Sequence, residues 1–169
     1  NVFEGFTNKI DTDPKDDSLR SKGADKGASI FARGEGVASD GRSIYYTCTS
    51  GGSQKSGQIW KYTPGPTKYS SGDILELWQE INNKQTINMP DNITLSPWGD
   101  VIVCEDNSNI NRLWGIRPNG TPYIIAQNSY SGAEFAGVCF SPSGNTLFVN
   151  LQQNGMTLAI NGDWNALRI

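Results

Sequence analysis

The 169-residue chain contains no histidine. That excludes Ser-His-Asp and Cys-His nucleophilic systems built within it, and zinc sites that depend on imidazole. It has only 3 cysteines, Cys48, Cys104 and Cys139, with no close pair. An odd and sparse set is not a disulfide framework. Each lies in an apolar, strand-like run, so each is expected as a small buried hydrophobe. No apolar run approaches the roughly 18 residues of a membrane-spanning helix. Nor is there a basic excess: 14 Lys and Arg against 17 Asp and Glu give a net charge of −3. A nucleic-acid footprint is therefore lacking. The opening Asn1-Val2-Phe3-Glu4-Gly5 has neither the basic start nor the apolar core of an export signal. A start without Met points to processing or truncation, so it does not decide the compartment. With these chemistries removed, catalysis has to rest on carboxylates, Arg, Lys, Ser, Tyr or a metal.

What the chain does have is glycine, 19 residues, together with 8 prolines. Hydrophobic residues make up 36% and charged residues 18%. This turn-rich composition points to an all-β domain with a core of its own. Residues 1–28 are polar. Asp11, Asp13, Asp16 and Asp17 stand among Lys and Ser, without the Gly and closing Glu that a calcium-binding helix–loop–helix requires. This segment is expected as a lid, a long loop or a covering strand, and 29–169 as the folded body.

A repeat begins at residue 29. Glu35 to Thr49 followed by Gly57 to Tyr62 forms the first unit. Asp91 to Glu105 followed by Arg112 to Ile116 forms the second. Phe135 to Asn150 followed by Gly155 to Ile160 forms the third. Each reads as strand, Gly-containing turn, buried strand, polar loop, strand. A fourth strand follows twice, at Leu75–Trp78 and Tyr123–Ile125. A period of about 44 to 57 residues with four short antiparallel strands per unit is the signature of β-propeller blades. The expectation is about three four-stranded blades, half of a six-bladed propeller. Three blades alone would leave open faces and strand edges. The missing half, another chain or further copies of this one are therefore expected to complete it. Trp164 to Ile169 could close a blade or form a tail.

Blades converge on a central channel. The start of the innermost strand carries Glu35 in the first unit, Asp91 and Asn92 in the second, and Glu134 in the third. The end of the next strand adds Glu105 and Asp106. Oxygen donors gathered at one rim suit a hard cation such as calcium. A strand cap and a solvated turn would account for the same residues in any one unit; recurrence in three units favours the site. Arg33 is the only arginine close to this ring. Beside metal-bridging carboxylates it suits bidentate phosphate recognition, although an ordinary ion pair to a nearby acid would also explain it.

Across residues 30 to 165 an ordered set of segments resembles the PhoX family of alkaline phosphatases. The set runs Ala32-Arg33-Gly34-Glu35-Gly36, Thr47-Cys48-Thr49-Ser50-Gly51-Gly52, Pro90-Asp91-Asn92-Ile93-Thr94, Cys104-Glu105-Asp106, Glu134-Phe135-Ala136-Gly137 and Phe148-Val149-Asn150-Leu151-Gln152. The resemblance implies an exported protein, periplasmic or secreted, and a propeller using calcium together with iron to hydrolyse phosphomonoesters. It implies that Glu35 and Glu134 are metal ligands and that Arg33 contacts phosphate. Asp91, Asn92, Glu105 and Asp106 become ligands or supports of ligands. It also implies that this chain corresponds to the C-terminal half, further ligands (one of them a cysteine to iron) lying in the other half. Cys48 and Cys104 do not take that role. Two other readings stay open: a calcium-dependent hydrolase of the lactonase type, and a non-catalytic propeller fragment used for assembly. Arg33 weighs against a lactone, which has no phosphate to hold.

Overall fold

A computed structural model describes residues 18–66, 72–83, 85–108 and 110–167. The chain divides into two compact units, meeting in sequence between Phe31 and Ala32. In the first, Ser18–Asp25 forms a helix, α1. Within the polar segment 1–28, expected as a lid, a long loop or a covering strand, this stretch is helical. The acidic positions Asp11, Asp13, Asp16 and Asp17 lie outside the described residues.

The second unit is all-β. Strands β1 (Gly34–Ser39), β2 (Ile44–Cys48), β3 (Gln58–Thr63) and β4 (Ile74–Glu80) form the first sheet. Strands β5 (Pro90–Leu95), β6 (Val101–Glu105), β7 (Arg112–Ile116) and β8 (Pro122–Gln127) form the second. The third holds β9 (Phe135–Phe140), β10 (Thr146–Leu151) and β11 (Met156–Asn161). Each is an antiparallel meander in sequence order, and their sizes are four, four and three strands. The third repeat therefore differs from a four-stranded unit. Trp164–Leu167 adds no strand; it makes a short 3-10 turn.

The central sheet is buried on both faces, and β6 shows why its sequence reads Val-Ile-Val-Cys without alternation. Val101 and Val103 pack with Tyr45 and Ile59 of the first sheet. Ile102 and Cys104 point the opposite way, against Leu147 and Val149 of the third. A strand covered on both faces favours apolar residues at successive positions. Each full burial here contributes about 1.5–3 kcal/mol. Cys48 and Cys104 are buried as expected, whereas Cys139 is exposed. Its neighbour Val138 takes the inward position on β9, and strand alternation turns Cys139 outward.

The first hairpin of each sheet turns on a glycine with positive φ, at Gly41, Gly99 and Gly144. These turns sit at one end of the unit, and the first-strand starts lie at the other. There β1 lies against β5, and β5 against β9.

Candidate functional site

All three first strands carry a β-bulge at the same place. Between the pairs Gly34–Cys48 and Val37–Tyr46, Glu35 and Gly36 oppose Thr47. Between Pro90–Glu105 and Ile93–Val103, Asp91 and Asn92 oppose Cys104. Between Ala136–Asn150 and Cys139–Phe148, Gly137 and Val138 oppose Val149. A bulge leaves its extra residue unpaired and re-aims side chains. Repeated in three neighbouring strands, it turns three segments out of their ladders at one rim. Glu35 and Asp91 are thus register equivalents. Glu134 is not the third equivalent, because that position is Gly137. It reaches the same region from three residues earlier.

The residue that precedes each of the strands β1 and β5 is also alike. Arg33 and Met89 both adopt φ 52°, a left-handed conformation that is uncommon for residues other than glycine. Their carbonyls accept from the Thr49 and Asp106 amides at 2.9 Å in both cases. These bonds hold the strained backbone and fix where Arg33 starts.

The Arg33 guanidinium donates to Asp106 Oδ2 at 3.0 Å and lies 3.5 Å from Glu35 Oε1. The hydrogen bond to Asp106 raises the Arg33 pKa, against the opposing effect of burial. Glu134 and Asp91 both have raised pKa values. Burial is the main cause for each. Repulsion from Asp106 and Asp91 adds to it for Glu134, and repulsion from Glu35 and Asp106 adds to it for Asp91. Four carboxylates therefore feel one another around a single arginine. Gln153 steadies Glu134, its Nε2 donating to Glu134 Oε1 at 3.3 Å while its Oε1 accepts from the Glu134 amide at 3.1 Å.

The remaining two predicted residues are placed differently. Asn92 Oδ1 accepts a short hydrogen bond from the Gly137 amide, so it ties the second bulge to the third. Glu105 is fully buried. Its Oε1 accepts from the Asn88 amide at 2.9 Å and its Oε2 from the Arg112 amide at 3.0 Å, with the Arg112 guanidinium 3.9 Å away. The structure thus places Arg33, Glu35, Asp91, Asp106 and Glu134 along one rim, within electrostatic range of one another, and holds Glu105 within the strand framework. Sequence reading missed Thr47, which is buried opposite the first bulge and bonded to β1 of its own sheet and to β5 of the next.

Among the described residues, no three His, Cys, Asp or Glu side chains converge closely enough to hold a metal ion. The donor chemistry nonetheless fits a hard cation. Asp91 Oδ1 is buried with no hydrogen-bond partner among the described residues, and an unpartnered buried oxygen of this kind calls for an explanation such as an ion or water. The neighbouring acids repel one another, and a cation would remove that conflict. What the described residues lack is convergence, not ligand type.

A family model described as alkaline phosphatase PhoX matches residues 5–155. It begins well before residue 30, so it takes in much of the polar N-terminal segment. No curated protein matches the chain. The bulged rim, its acids and Arg33 all lie within the matched span, which covers most of the chain, and the chain belongs to the PhoX alkaline phosphatase family.

Proposed function

We propose that this chain carries part of a metal-assisted phosphomonoesterase site at the mouth of a β-propeller whose blades are the three sheets. The observation that carries the reading is Arg33. Its guanidinium sits in a cluster of four acids, one of which presents a buried oxygen without a partner. A planar guanidinium suits bidentate recognition of phosphate oxygens. A cluster of carboxylates with no cation among them would repel a phosphate instead.

In this reading Glu35, Asp91, Asp106 and Glu134 hold calcium and iron, with further ligands coming from outside the described residues. Asn92 and Glu105 hold the strands that present those ligands. The bound metals would supply Lewis-acid polarisation of the ester and an activated water. Arg33 gives up part of its pairing with Asp106 to bind the phosphate oxygens. The positive φ at Arg33 aims its side chain at the rim. Glu35 and Asp91 are presented from equivalent bulges on adjacent strands. A phosphate monoester is the substrate class, and a periplasmic or secreted location follows the same reading. No helix among the described residues is long and apolar enough to cross a membrane.

One observation favours an assembly role beside this. In the third sheet, β11 has no further strand on its outer edge among the described residues, where the other two sheets have a fourth. Such an edge can receive a strand from another segment or chain.

The test is turnover of a chromogenic phosphomonoester by the full natural protein, with calcium and iron supplied. Arg33→Ala is expected to lower kcat/KM by about a hundredfold or more, the usual loss for one electrostatic contact to the transferring group. Turnover of a lactone panel in place of the phosphoester, or wild-type kcat/KM in Arg33→Ala, would sink the reading.

A further inference from the structure

We infer that Thr47 is a positioning residue of this site: its buried hydroxyl locks the first bulge to the second and so sets Glu35 and Asp91 relative to one another. The inference rests on the phosphatase reading and adds to it a residue outside the acid cluster.

Thr47 is fully buried on β2. Its Oγ1 accepts from the Gly36 amide at 2.9 Å and donates to the Asp91 carbonyl at 2.6 Å, across 44 residues of sequence. Both partners sit in bulges, where the ladder leaves backbone groups without their usual strand partners. The two backbones approach so closely that a Cβ on Gly36 would come within 2.6 Å of the Asp91 oxygen and 2.8 Å of the Ile93 nitrogen. Removing the hydroxyl would take from the Gly36 amide and the Asp91 carbonyl the one side-chain atom that joins them.

The residues opposite the other two bulges are Cys104 and Val149. Neither is a strong hydrogen-bonding residue. The junction between the second and third bulges is made another way, by Asn92 accepting from the Gly137 amide. Thr47 is therefore specific to the junction between Glu35 and Asp91. Fixing Asp91 through its own carbonyl matters because the Asp91 side chain ends in the buried, unpartnered oxygen. Displacement of such a group by about 1 Å is enough to cost on the order of a hundredfold in rate.

The experiment compares Thr47→Val, which keeps the shape and removes the hydroxyl, with Thr47→Ser, which keeps the hydroxyl. Both are made in the full natural protein, beside Glu35→Gln and Asp91→Asn. Three readouts are taken well below the midpoint of unfolding: phosphomonoester kinetics, calorimetric titration with Ca²⁺ alone, and amide hydrogen exchange at Gly36. Thr47→Val is expected to lower kcat about ten- to a hundredfold with KM little changed, to weaken Ca²⁺ binding and to speed Gly36 exchange. Thr47→Ser is expected to restore most of all three. If Thr47→Val does not fold, Thr47→Cys, a weak donor of similar size, takes its place in the same assays. Wild-type kcat and Ca²⁺ binding in the folded variant, with Asp91→Asn inactive, would overturn the role of Thr47 alone. Wild-type turnover and Ca²⁺ binding in both Glu35→Gln and Asp91→Asn would overturn the phosphatase reading, and the role of Thr47 with it.

Discussion

The two ends of the central sheet treat buried acids in opposite ways. At the turn end, Asp100 is buried and its Oδ2 accepts from Trp98 Nε1 at 2.9 Å and from the Tyr123 hydroxyl at 2.7 Å. Trp98 stacks on Trp164 with ring centroids 5.8 Å apart, and Phe140 meets both rings edge-on. At the rim end, a few residues away along the same hairpin, Asp91 keeps one oxygen with no partner among the described residues, and its charged neighbours are Glu35, Asp106 and Arg33. Glu105 shows that the rim end can satisfy a carboxylate when the fold requires it, since two backbone amides fill its oxygens. A structural acid receives donors from its own chain. Asp91 Oδ1 shares its lack of a partner among the described residues with Thr49 Oγ1 and Trp114 Nε1, and of the three it is the carboxylate oxygen whose chemistry suits a cation.

The contrast can be broken first at Glu105. Glu105→Ala leaves the Asn88 and Arg112 amides without acceptors and is expected to destabilise by about 3 kcal/mol. Asp91→Asn removes a repelled charge and is expected to leave stability unchanged or raise it. Urea unfolding of the two variants measures both; a large loss in Asp91→Asn would erase the distinction between them. At the turn end, Tyr123→Phe removes one of two donors to Asp100, and a loss of about 1.5 kcal/mol is expected. No loss would show that Trp98 alone suffices.

The smallest effect is in pH. The Asp91 and Glu134 carboxyls are raised above their ordinary values by burial and by neighbouring acids. The folded protein therefore holds those protons more tightly than the unfolded chain does. The contribution of these two groups to stability is highest in acid and falls as pH rises from about 4 through the raised values. Ca²⁺ is expected to reverse that fall by pairing with the ionised forms. Melting curves across this range, in chelator and then with Ca²⁺, should diverge as pH rises. Parallel curves would mean that the rim acids are not coupled to a cation.

Much of this was legible along the chain. The strands among the described residues fall between turn glycines where apolar residues gather, and β6 announces its burial on both faces by reading Val-Ile-Val-Cys. The acid rim was legible because a repeat lets Glu35 be compared with Asp91. The comparison failed at Glu134, since the register places Gly137 there. Bulges are a property of pairing, and one extra residue on a strand leaves no mark in composition. Glu105 looked like its neighbour Asp106 because a sequence does not show which backbone amides will surround a side chain. Cys139 sits in an apolar run like Cys48 and Cys104, and only the absence of a sheet over its face separates them. The helix at Ser18–Asp25 lies in a polar stretch without an apolar stripe to reveal it.

Local chemistry along the chain determined the strands, the turns, the exclusion of histidine-based catalysis and the supply of acids around Arg33. These depend on residue type and short spacing. Tertiary structure decided which acids meet, which one is filled by the fold and which is left open. Those outcomes depend on pairs such as Thr47 with Asp91, Asn92 with Gly137 and Arg33 with Asp106. Such pairs lie far apart in sequence, and they come within hydrogen-bonding distance only when three bulged strands pack side by side.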